Sequence, residues 1–281
     1  MTKKLVLFVI PLLAGALLYS AAHSEVPLPA DAEGALDRLR DSPRHGEWVD
    51  IEEGRPGDSW HDSVRAWVVY PERATRAPVV IVIHEIYGLT DWIRGVADEM
   101  AAAGFIAIAP DLLTGHGPTG ETPKDQQEAV KLVRGLRIED TARRLTSVGR
   151  YAAAMPASSG KFGCVGFCWG GSTSFAFAGN EERLGAAVVY YGTSPDKKTL
   201  GRIQAPVLGL YGGDDARVNA TVPDAVRTLR SLGKSYTPNT FDGAGHGFLR
   251  QQQGREGANM KAARQAWPAT VAFFKENLET R

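Results

Sequence analysis

Hydrophobic and polar positions along this chain alternate between two rhythms. Short, nearly continuous apolar runs recur at Val79–His84, Phe105–Ala109, Ala186–Tyr191 and Val207–Tyr211. Runs of this kind predict strands buried on both faces. Val64–Tyr70, Lys161–Val165 and Ser235–Phe241 add three more expected strands. Between them lie segments of helical character: Asp91–Ala103, closed by Gly104 as a C-terminal cap, then Pro123–Leu136, Ile138–Ala154, Trp169–Ala178 and Val222–Leu232. The last is Gly257–Leu278, in which Pro268 is expected to kink the helix or mark its restart. Val26–Gly57 is mostly polar, with weak helical character from Asp31 to Arg40. Strands alternating with helices predict an α/β fold, a mostly parallel central sheet with helices on both faces. No linker interrupts the pattern, so residues 25–281 are expected to form one domain. Sites in such sheets gather beyond the carboxyl ends of the strands.

The first 24 residues do not belong to this rhythm. Lys3 and Lys4 precede an apolar run from Leu5 to Leu18, and small residues follow from Ser20 to Ser24. That order predicts a secretory signal peptide, cleaved after Ala22 or Ser24. The run is shorter than the roughly 20 residues of a spanning helix, and Pro11 interrupts it, so no membrane anchor is expected after cleavage. The expected location is periplasmic or secreted. Composition adds little that is unusual: 43% hydrophobic and 23% charged residues suit an ordinary globular core. Lysine plus arginine and aspartate plus glutamate balance at 32 each. Removing Lys3 and Lys4 leaves 30 basic residues against 32 acidic, a net charge near −2. Nothing there favours a nucleic-acid partner. A monomer acting on a small molecule is expected, with no cofactor. Scattered histidines without paired ligand spacing give no metal site either.

The chemistry centres on Gly166-Phe167-Cys168-Trp169-Gly170-Gly171, between an expected strand and an expected helix. Glycines around one nucleophilic residue at a strand-to-helix turn describe a nucleophile elbow, here with cysteine. A thiol in that position predicts covalent acyl chemistry. The second cysteine, Cys164, falls inside the strand and reads as a buried small hydrophobe. The C-x-x-x-C spacing matches neither a disulfide across the turn nor a C-x-x-C redox pair. Downstream of Cys168 the chain has a single histidine, His246, in a glycine-rich loop after the last strand. It is the expected base. Asp214 and Asp215 both follow the preceding strand, and pattern alone leaves the orienting acid open between them. Oxyanion donors are expected at the backbone amides of Trp169, after the nucleophile, and Ile86, after the first buried strand. Glu85, in the same loop as Ile86, would face the site.

His84-Glu85-Ile86-Tyr87-Gly88, Pro110-Asp111-Leu112, the elbow, Tyr190-Tyr191-Gly192, Asp215-x-x-Val218 and Gly245-His246-Gly247-Phe248 occur in this order. Together they resemble the dienelactone hydrolase family of α/β-hydrolases, over roughly Val64 to Leu278. The resemblance implies a triad of Cys168, Asp215 and His246. It also implies that Glu85 contacts the resting thiol and helps activate it, that Tyr190 lines the pocket, and that Arg250 holds a substrate carboxylate. A second carboxylate-binding arginine belongs shortly after Leu112, where this chain has Leu113-Thr114-Gly115-His116-Gly117. His116 is the nearest substitute for it. The expected activity is hydrolysis of small lactones or carboxylic esters through an acyl-cysteine. A thioesterase or small peptide hydrolase is the alternative on the same scaffold. A non-catalytic periplasmic binding protein would carry a broken triad, and this one is complete.

Overall fold

The computed structural model describes residues 26–53 and 62–279. The expected export signal lies outside them. Eight strands form one sheet: β1 (Gly46–Glu52), β2 (Ser63–Val69), β3 (Ala77–Ile83), β4 (Ile106–Pro110), β5 (Ser158–Phe167), β6 (Ala187–Tyr190), β7 (Val207–Gly212) and β8 (Tyr236–Phe241). Their spatial order is β1-β2-β4-β3-β5-β6-β7-β8. From β4 to β8 every neighbouring pair is parallel, while β1 and β2 join antiparallel at the edge. This is the α/β architecture that the alternating pattern predicts.

Every residue of β3, β4, β6 and β7 is buried, as the unbroken apolar runs require. Successive side chains serve opposite layers. Val80 and Val82 point into a core shared with α2 (Asp91–Ala102) and α9 (Ala258–Leu278), through Ile93, Val96, Trp267 and Phe274. Val79, Ile81 and Ile83 point the other way, toward Leu145 and Val148 of α4 (Ile138–Ala154), and into the layer that holds Phe175 of α5 (Trp169–Ala178) and Leu229 of α8 (Val222–Ser231). Burial on both sides is the main force holding the sheet, at about 25 cal/mol per Å² of apolar surface.

The differences from the expected elements are at the margins. β1 lies in the stretch read as polar, because Trp48, Val49 and Ile51 are interleaved with Glu47, Asp50 and Glu52 and most of the strand is not buried. Helix α3 (Gln126–Gly135) starts later than expected, where the Asp125 carboxylate accepts from the amides of Gln127 and Glu128. Two short helices, α6 (Lys197–Arg202) and α7 (Ala216–Asn219), sit where the pattern predicts no helix. Helix α9 runs through Pro268 without ending. Among the described residues no helix is long and apolar enough to cross a membrane.

Candidate active site

Cys168 stands between the last residue of β5 and the first of α5, with φ 56° and ψ −113°. Few non-glycine residues adopt such a backbone, and holding one there costs about 1–3 kcal/mol. The surrounding glycines make the turn sterically possible. A Cβ on Gly166 would lie 1.9 Å from the Gly170 carbonyl oxygen, and one on Gly170 would lie 2.3 Å from that of His84. The backbone amide of Cys168 donates to Tyr190 O at 3.1 Å, tying the turn to β6.

His246 approaches from the loop after β8. Its Nε2 is 3.0 Å from Cys168 Sγ, and its Nδ1 is 2.5 Å from Asp215 Oδ2. With the carboxylate accepting from Nδ1–H, Nε2 is left to take the thiol proton. The two loops brace each other: the Asp214 amide donates to Ala244 O at 3.0 Å. Buried Asn259, at the start of α9, accepts from the Gly245 amide at 2.9 Å and donates to Gln251 O at 2.7 Å. The structure therefore resolves the choice of neighbour for the imidazole. Asp215 is buried beside His246, whereas Asp214 faces Arg255 at 3.2 Å on the surface.

The surroundings of the thiol favour its neutral form. Burial, and then the nearby negative charge of Glu85, push Cys168 up to about 11. The Trp169 backbone amide and the Arg217 charge act in the opposite direction. Glu85 itself is pushed up to about 7 by burial, opposed by the Arg250 guanidinium. The contact that Glu85 makes differs from the expected one. Its Oε2 pairs with Arg250 Nε at 3.2 Å, while the thiol hydrogen-bonds to His246. Arg250 also stacks over Tyr87, with Cζ 4.9 Å from the ring centroid. The residue expected to hold a substrate carboxylate is thus engaged with a carboxylate of the protein.

Ile86 and Trp169, whose backbone amides are the expected oxyanion donors, border one cluster through their side chains. It is formed by Leu113 with Ala129 and Val133 of α3. Ile86 lies in the turn closed by the Gly88 amide on Glu85 O at 3.2 Å, and Trp169 is the first residue of α5, where amides lack intrahelical acceptors. Tyr190 requires a correction. It is fully buried, and its hydroxyl bonds to Thr270 of α9 at 2.7 Å, away from the thiol. Strand alternation explains this, since the last residue of β6 faces the α9 layer. Tyr191, one residue later at φ 39°, is the tyrosine at the site: its ring lies edge-on to His246 at 5.2 Å. The paired tyrosines in the sequence held this information, but not which of the two turns inward. Cys164 is fully buried, and desolvation alone drives its thiol well above the ordinary range. In the loop after β4, Arg144 from α4 clamps the carbonyls of Leu112 and Thr114 at 3.0 and 2.7 Å. His116 lies near that guanidinium, which together with burial lowers its pKa.

The family model of the dienelactone hydrolase family matches residues 64–278. A Yersinia pestis protein, provisionally named a carboxymethylenebutenolidase, is 28% identical over 228 residues, covering 77% of this chain and 85% of that protein. The Pseudomonas putida carboxymethylenebutenolidase is 32% identical over 184 residues, covering 62% of this chain and 76% of its own. A crystal structure from Klebsiella pneumoniae, provisionally a dienelactone hydrolase, superposes with TM-score 0.72 at 27% identity, covering 83% of this chain and 99% of that one. With the strand order, the elbow and the facing histidine already in place, the chain belongs to the dienelactone hydrolase family of α/β-hydrolases.

Proposed function

We propose that this protein hydrolyses small lactones and carboxylic esters through a thioester on Cys168. The observation that carries the reading is His246 standing between Cys168 at 3.0 Å and Asp215 at 2.5 Å, at the carboxyl end of the sheet. As the thiol sulfur attacks the carbonyl carbon, its proton passes to His246 Nε2. Asp215 steadies the imidazolium that results. The amides of Ile86 and Trp169 take the negative charge on the former carbonyl oxygen. Collapse of the tetrahedral species breaks the bond to the alkoxy oxygen, which leaves with the proton from His246. For a lactone that hydroxyl stays on the acyl group. Water then gives its proton to His246 and attacks the thioester. The thiolate departs and regains a proton, and the carboxylic acid is released.

Glu85, paired with Arg250, supports a neutral resting nucleophile. A buried carboxylate beside the thiol disfavours thiolate, so the nucleophile is formed only as its proton moves to His246. The chain's Lys3-to-Ser24 pattern supports export, which N-terminal sequencing of protein from a periplasmic fraction tests. The mechanism is tested with p-nitrophenyl acetate and small enol-lactones. Wild-type protein is expected to turn over both, and Cys168→Ala neither. Equal rates for the two proteins reject the reading.

A further inference from the structure

His84 ends β3, is wholly buried, and has no part in the proton transfers above. Its ring is held at both nitrogens. Nε2 lies 3.3 Å from the amide of Leu112, and Nδ1 lies 2.7 Å from the carbonyl oxygen of Glu85. A backbone amide only donates, so Nε2 carries the lone pair and Nδ1 the proton. The imidazole is therefore neutral, and burial reinforces this by lowering its pKa. The Nδ1–H donates to Glu85 O, which also accepts from the Gly88 amide at 3.2 Å.

That carbonyl shares a peptide unit with the N–H of Ile86. The unit is planar and trans, so its C=O and N–H point in opposite directions. Fixing one fixes the other. The same imidazole stacks on the indole of Trp169, with centroids 5.4 Å apart and planes 17° apart. One side chain thus touches Trp169 and the peptide unit that carries the Ile86 amide, the two donors of the oxyanion site proposed above.

We propose that His84 is a positioning residue for the oxyanion site. It aims the Ile86 N–H at the developing oxyanion and packs Trp169 against the other side. The proposal rests on the thioester mechanism above. Preorganised donors lower the barrier because no reorientation is needed when charge develops, and losing one costs roughly 100- to 1,000-fold in kcat. A donor left in place but no longer held should cost less.

The test separates oxyanion chemistry from thiol chemistry. His84→Phe keeps a buried ring against Trp169 and removes both hydrogen bonds. His84→Gln restores a donor of similar reach. For each, kcat and KM on p-nitrophenyl acetate are measured beside the rate of Cys168 alkylation by iodoacetamide, a displacement that forms no oxyanion. His84→Phe is expected to lower kcat about 10- to 100-fold, with KM and alkylation within about twofold of wild type. His84→Gln is expected to recover most of kcat. If the phenylalanine variant is insoluble, His84→Leu serves and the same split is expected. An unchanged kcat overturns the proposal, and so does a parallel fall in kcat and alkylation, which marks general damage to the site. Full turnover by Cys168→Ala would instead reject the thioester mechanism itself, leaving His84 nothing to position.

Discussion

Cys164 lies inside β5, and Cys168 lies just past its end. Both carry the same thiol, and burial raises the pKa of both. Their surroundings are otherwise opposite. Cys164 faces the α4–α5 layer among Ile81, Phe175 and Val189, and its thiol donates to Ser174 O at 3.9 Å. Cys168 has left the ladder, sits in a strained backbone, and meets a histidine, a helix-start amide and two neighbouring loops. A strand supplies alternation and burial, whereas the end of a strand supplies convergence. The difference teaches that reactivity here is made by neighbours arriving from β3, β7 and β8, not by the cysteine itself.

The largest effect separating the two is labelling. Iodoacetamide should modify folded protein at Cys168 alone. Cys164 should react only through opening of the core, slowed by more than about 1,000-fold for ordinary domain stabilities. Peptide mapping after timed alkylation reads both rates. Replacing each by serine extends the contrast. Cys168→Ser should abolish labelling and leave the melting temperature nearly unchanged. Cys164→Ser should destabilise by about 1–3 kcal/mol, because a more polar hydroxyl would replace the thiol in an apolar layer. Comparable labelling of both cysteines in native protein would erase the distinction.

The same contrast explains what could be read in advance. The buried strands were legible because a run such as Val79–Ile83 admits few alternatives. The histidine and elbow were legible because each directly follows a strand, and a fold of this class places strand ends together. Less was legible where two loops meet. Glu85 and Arg250 are distant in sequence, and nothing local to either announces their ion pair. Tyr190 and Tyr191 are adjacent, and their separation depends on where β6 stops, a boundary that pattern leaves uncertain by a residue or two. The edge strand β1 was hidden for a related reason: a half-solvated strand carries acidic residues that a core strand cannot.

The next effect concerns the carboxylate that only Cys168 meets. Glu85→Gln removes a negative charge beside the thiol, so alkylation at pH 8 should quicken by about three- to tenfold. It should also alter stability with a defined sign. Glu85 is held near 7 against an ordinary 4.5, so folding favours its protonated form. Its contribution is fully present below about 4.5 and is lost as pH rises through 7, about 3 kcal/mol at roughly 1.4 kcal/mol per unit. Glutamine does not titrate. The melting temperature of Glu85→Gln relative to wild type should therefore climb between pH 4.5 and 7 and then level off. A flat difference across that range would mean that Glu85 is not desolvated in solution.

The smallest expected effect lies one step further out, at Arg250. Its guanidinium is paired with Glu85 at 3.2 Å, so an incoming carboxylate competes with one already there. Competition weakens when Glu85 takes a proton. Anionic substrates should therefore gain on neutral ones as pH falls below about 7. The ratio of KM for a neutral ester to KM for a carboxylate-bearing analogue should rise by about three- to fivefold between pH 8 and 6, a difference of roughly 1 kcal/mol. Arg250→Ala should flatten that dependence, and Glu85→Gln should make it flat at the high ratio. If the ratio ignores pH in wild type and both variants, Arg250 serves Glu85 alone. The carboxylate behind the nucleophile would then be tuned entirely from within the protein, with no part left for the charge of the substrate.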